Sequence, residues 1–85
     1  MTPQLPNTDK FSSSAKVKLV RDLGMIVQKA RKEQQLSQID VAGLVGCGNR
    51  FIVDLEKGKE TIQMQKAIDV LELLGLELVI QRKGL

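Results

Sequence analysis

Asn49, Arg50, Val53 and Lys57 are spaced so that a helix would gather them on one face, opposite Phe51, Ile52 and Leu55. These residue types match the edges of base pairs. An Asn amide bonds adenine in two places, an Arg guanidinium does the same for guanine, and a Val can touch the thymine methyl. Each bidentate contact discriminates by about 1–3 kcal/mol. Lys57 and Lys59 lie where the chain would leave the groove, so phosphate is their natural target. Asp54 shares the face and is out of place there, because a carboxylate repels phosphate. It either holds Arg50 as an i,i+4 partner or accepts a hydrogen bond from cytosine N4. The first reading is preferred, since it needs no particular base. The plainer alternative for Arg50, Lys57 and Lys59 is a solvated polar face.

Such a face needs an element that holds it rigidly. Ser37 is a good N-cap, with Asp40 three residues on, and predicts a short helix over about Gln38–Val45. Gly46-Cys47-Gly48 breaks it. A third helix follows over about Asn49–Lys57 and stops at Gly58. Two short helices crossing around a tight turn need a small residue at the crossing, which Ala42 supplies, and a turn residue tolerant of positive φ, which Gly46 supplies. Val41, Ile52 and Leu55 would then point inward. Upstream, Asp22 can cap a first helix ending near Gln34, with Leu23, Ile26, Val27 and Ala30 inside. Downstream, Thr61 can cap a fourth helix over about Gln63–Leu74, with Met64, Ala67, Ile68, Leu71 and Leu74 as its apolar stripe.

The last segment changes period. Leu76, Leu78 and Ile80 alternate with Glu77, Val79 and Gln81, as a strand would. No clear second strand exists for it to pair with. Unpaired strand edges are unfavourable, so the same strand of a second copy is the expected partner, a frayed tail or a continued helix being the alternative. Residues 1–14 hold both prolines and a triple serine, and read as a flexible arm. Residues 15–21 read equally as helix or extended chain. The expected division is an arm over 1–21, a helical domain over 22–75, and a dimerisation strand and tail over 76–85.

Composition narrows the function classes. The chain has 85 residues, a net charge of +3, two aromatics (Phe11 and Phe51), no histidine and one cysteine. Its core must come from aliphatic side chains, which suits packed helices. Cys47 has no partner within the chain and reads as a small apolar filler of the turn. Common zinc sites and an internal disulfide framework are not expected. Neither a nucleophile beside a base nor a Gly-rich phosphate loop is visible, so neither a catalytic role nor a cofactor is expected. No apolar run approaches a membrane span, and Met1–Lys10 lack a signal peptide's apolar stretch. A cytoplasmic protein without membrane contact is expected.

Leu36-Ser37-Gln38, Val41-Ala42, Gly46, Ile52, Leu55-Glu56-Lys57-Gly58, Ala67-Ile68 and Leu74-Gly75-Leu76 resemble the Cro/C1-type (xenobiotic-response-element) helix-turn-helix family, over about residues 23–78. The appended strand and small size further resemble the HipB-type antitoxins. The resemblance implies an all-α, compact four- to five-helix domain with a C-terminal β-strand pairing across a dimer. It implies that Gln38 touches a DNA phosphate and that Gly48, Asn49, Arg50 and Val53 face or flank base edges. Gly48 departs from the pattern by offering only backbone. Arg31 and Glu56 match a family salt bridge tying the first helix to the third, two separate solvated charges being the alternative. Expected partners are double-stranded palindromic operator DNA, a second copy of the chain and a HipA-like kinase toxin. The expected role is an autorepressing antitoxin. A solitary or phage-type regulator, or a protein-sequestering module with secondary DNA binding, is the alternative.

Overall fold

The computed structural model describes residues 14–84, and the first part of the expected arm lies outside them. Four helices follow one another: α1 (Val20–Glu33), α2 (Gln38–Val45), α3 (Asn49–Lys57) and α4 (Met64–Leu73). Their apolar faces close on one core of Leu23, Val27 and Ala30 from α1, Val41 and Ala42 from α2, Ile52 and Leu55 from α3, and Ala67, Val70, Leu71 and Leu74 from α4 and its end. The architecture is all-α, with α3 packed against both α1 and α2. Among the described residues no helix is long and apolar enough to cross a membrane.

The two helices of the central motif begin and end as their residues dictate. Ser37 Oγ accepts from the Asp40 amide at 3.0 Å, and Asp40 Oδ2 accepts from the Ser37 amide at 2.9 Å. Two otherwise orphan amides are thereby satisfied. At the other end Gly46 takes φ +87°, and the amides of Gly46 and Cys47 both donate to the Ala42 carbonyl. Only glycine adopts that conformation without steric cost, so the chain can reverse within one residue and start α3 at Asn49.

Three expectations are corrected. Asp22 does not start α1. The helix begins two residues earlier, and Asp22 sits in its first turn, where Oδ2 accepts from the amides of Lys18 and Leu19, both at 3.0 Å. The carboxylate reaches back to cap from inside. Thr61 does not cap α4: Gln63 holds the N-cap position without a side-chain bond. Ile62 packs on the core just before it, and the helix starts at Met64, one residue after the expected Gln63. The apolar stripe of α4 is also rotated. Met64 is about half exposed, whereas Val70, absent from the expected stripe, is fully buried.

The tail forms no strand among the described residues. Leu76 packs partly against the core, while Leu78, Val79 and Ile80 face solvent, Ile80 at 88% exposure. A single copy offers this segment no ladder to join, and a strand needs a neighbour for its amides and carbonyls.

Candidate nucleic-acid interface

The face predicted from spacing is held rigidly by what lies beneath it. Ile52 and Leu55 are fully buried, so α3 cannot roll without opening the core. On its far side Gly48, Asn49 and Arg50 are exposed, Lys57 and Lys59 are exposed, and Val53 and Asp54 are half-buried. The structure thus gathers Asn49, Arg50, Val53 and Lys57 on and around one protruding end and side of a short helix.

Beneath this face lies the most densely bonded polar group of the described residues. Glu56 Oε2 accepts from Arg31 Nε at 2.6 Å, and Oε1 accepts from Arg31 Nη2 at 3.0 Å, Gln38 Nε2 at 3.1 Å and Gln28 Nε2 at 3.3 Å. Arg31 Nη1 also donates to the Leu36 carbonyl at 2.9 Å. One carboxylate therefore ties α3 to α1 and α2, and one guanidinium ties α1 to the loop entering α2. Burial raises the Glu56 pKa, but the bonds from Arg31 and Gln38 outweigh it and leave the group below its ordinary range. The bond to Glu56 raises Arg31, against a smaller opposing effect of burial. A buried charge of either sign alone would be costly, and here each neutralises the other.

Gln38 lies at the start of α2, and its side-chain amide donates to Glu56 at 3.1 Å, so in the unbound chain it braces the motif from the N-terminal end of that helix. The sequence held no sign of this, because two glutamines of different helices converge on Glu56 only after folding.

Asp54 ion-pairs with Arg50, Oδ1 to Nε at 3.2 Å, and also with Lys59, Oδ2 to Nζ at 3.5 Å. The pairing with Lys59 was not foreseen. The turn at Gly58, φ +81°, brings Lys59 back, and the Lys59 amide donates to the Asp54 carbonyl at 3.0 Å. Lys66 Nζ lies 5.8 Å from the centre of the Phe51 ring, covering the outer edge of α3 where it meets α4. Cys47 is half-buried against the core.

A close approach was likewise unseen in the sequence. Gly24 is buried in α1, and a Cβ there would stand 2.3 Å from the Leu55 carbonyl oxygen and 2.7 Å from that of Glu56. The helix carrying the candidate face thus rests its own backbone on α1. The signal was a glycine inside a helical pattern, which marks close contact between elements.

Two short helices meeting at a glycine turn, the second presenting amide and guanidinium groups from its first turn, define a helix-turn-helix DNA-binding domain. The helix-turn-helix family model HTH_3 matches residues 27–81. The chain belongs to this family, of Cro/C1 type, whose members are DNA-binding transcriptional regulators. A relative described as "Uncharacterized HTH-type transcriptional regulator y4mF", from Sinorhizobium fredii (strain NBRC 101917 / NGR234), is 46% identical over 69 residues, covering 81% of this chain and 91% of its own length. A solved structure described as a HipA-HipB-O2-O3 complex superposes with a TM-score of 0.75 at 16% identity, covering 82% of this chain and 99% of the matched one. One described as "MDT Protein" matches with the same TM-score, identity and coverage. At that identity the likeness is one of fold.

Proposed function

We propose that the chain is a homodimeric repressor that reads a palindromic operator, each copy placing α3 in a major groove. The observation that carries this reading is the exposure of Gly48, Asn49 and Arg50 at the start of a helix locked from below by Glu56. Asn49 pairs with adenine and Arg50 with guanine. Val53 meets a thymine methyl, and Lys57 and Lys59 meet phosphate. The α2 amides beside Gln38 take a further phosphate. Two copies joined through Leu76, Leu78 and Ile80 would set half-sites about 34–36 Å apart. The exposed apolar Val79 and Ile80 support the joining, because a monomer leaves them in water.

Within this reading the chain is the antitoxin of a HipBA-like operon, repressing its own promoter and binding a kinase-type toxin. Its support is the fold shared with the solved HipA-HipB-O2-O3 complex, together with small size and the appended tail. A gel shift on the DNA upstream of the chain's own reading frame, at fixed salt, tests the repressor role. Binding by the wild-type chain and its loss in a folded Arg50→Ala variant are expected. Equal binding by both would remove α3 as the reading element. Co-purification with the product of an adjacent kinase-like reading frame tests the antitoxin role. A solitary regulator would show operator binding and no such complex.

A further inference from the structure

Arg50 is an exposed side chain with an ion-pair partner one turn along its own helix. It is 83% exposed, yet its Nε sits 3.2 Å from an Asp54 oxygen that is itself only 16% exposed as a side chain. The contact is an ion pair rather than a well-aligned hydrogen bond, and it is made through Nε, which leaves the terminal nitrogens Nη1 and Nη2 outside it. Bidentate recognition of guanine O6 and N7 needs two donors in a fixed plane, presented together. A free arginine loses several rotamers on reaching that pose. An ion pair through Nε biases the side chain toward fewer of those rotamers before DNA arrives. The other Asp54 oxygen faces Lys59 Nζ, and the Asp54 carbonyl holds the Lys59 amide, so the carboxylate is itself fixed from the side where the chain leaves α3.

We propose that Asp54 is a positioning residue that gives the interface its guanine preference. It orients the Arg50 fork toward the base edge and ties that fork to the phosphate-facing Lys59. The proposal rests on α3 reading DNA, and it deepens that reading by assigning specificity to a residue whose charge should weaken binding. Removing the carboxylate should therefore separate two quantities that usually fall together. Asp54→Asn keeps the size of the side chain, removes a charge that repels phosphate, and frees Arg50. Overall affinity for duplex DNA should hold or rise while discrimination at one base pair per half-site falls.

The full-length chain is incubated with duplexes randomised over about two helical turns, and the bound fraction is sequenced. The wild type is expected to enrich guanine at one position of each half-site. Asp54→Asn should lower that enrichment about fivefold or more, with the other positions retained. Asp54→Glu should restore part of it, and Arg50→Lys should abolish it, because a point charge cannot replace the fork. In the double variant Arg50→Ala/Asp54→Asn the profile should equal that of Arg50→Ala. An unchanged guanine preference in folded Asp54→Asn overturns the proposal and leaves the reading role of α3 standing. A further change of base preference on adding Asp54→Asn to Arg50→Ala also overturns it, since Asp54 would then read cytosine directly. A wild-type chain that enriches no sequence overturns both this inference and the DNA-reading role.

Discussion

Gly24 and Leu55 stand so close that the α-carbon of one faces the carbonyl of the other with no room for a methyl between them: an added Cβ would lie 2.3 Å from the Leu55 oxygen. The atoms it would strike belong to backbone, which cannot swing aside. Gly24→Ala should therefore destabilise by about 2 kcal/mol or more despite alanine's better helix propensity. A melting temperature lowered by roughly 10 °C in far-ultraviolet circular dichroism is expected. No loss would mean that α1 and α3 lie further apart than described.

Gln35 joins α1 to α2 at φ +60°, in the left-handed region where an L side chain is strained. Gln35→Gly should relieve about 1 kcal/mol, read as a higher urea midpoint at unchanged slope. A lower midpoint would show that the glutamine side chain contributes more than its backbone costs.

Glu56→Gln leaves the Arg31 charge buried without its partner, at a cost of about 3–5 kcal/mol. It should also change the acid limb of stability. The Glu56 pKa is lower folded than unfolded, so between the two values the unfolded chain binds more protons. Its contribution is complete above the ordinary glutamate range and is lost as pH falls through the folded value. Asp22 and Asp40 act in the same direction, through backbone amides of Lys18 and Ser37 respectively. Urea titrations below pH 5 should show a shallower decline for the variant. Parallel curves would count against the Glu56 network as the source of that slope.

In the proposed complex, Lys57→Ala removes a phosphate contact without touching a base. Plotted as log K against log salt, the slope should fall by about 0.9 for each lysine removed, or about 1.8 for a dimer, with base preference unchanged. Fluorescence anisotropy at several salt concentrations supplies the slope. An unchanged slope would place Lys57 away from the backbone of DNA.

Ile80→Glu tests the tail. At 88% exposure Ile80 supports nothing within one copy, so monomer stability should not move. In a strand pair across a two-fold axis, two added charges should weaken the dimer about tenfold or more. Sedimentation equilibrium distinguishes the cases, and an unaffected dimer would place the interface elsewhere.

The ends of α2 and α3 were legible in the sequence because Ser37, Asp40, Gly46 and Gly58 act on their immediate neighbours. Local chemistry of this kind survives folding unchanged. What escaped were relationships across the chain. Gln28 and Gln38 meet at Glu56 from separate helices, and Gly24 earns its place only through the backbone of α3. The bounds of α4 were legible to within a residue but its cap was not, since the packing of Ile62 on the core sets Gln63 rather than Thr61 at the N-cap. On the exposed face of α3, the pairing of Arg50 with Asp54 follows from i,i+4 spacing alone, whereas that of Lys59 requires the turn at Gly58.

Gln34 Nε2 donates to the Leu74 carbonyl at 2.7 Å, fastening the end of α1 to the residue where the tail departs. The root of the tail is thereby bolted to the same frame that aims α3. In a pair of chains joined by their tails, the two reading helices would behave like the jaws of a caliper with a fixed gauge. Loosening that single bolt would leave each jaw sharp while letting the gap between them drift.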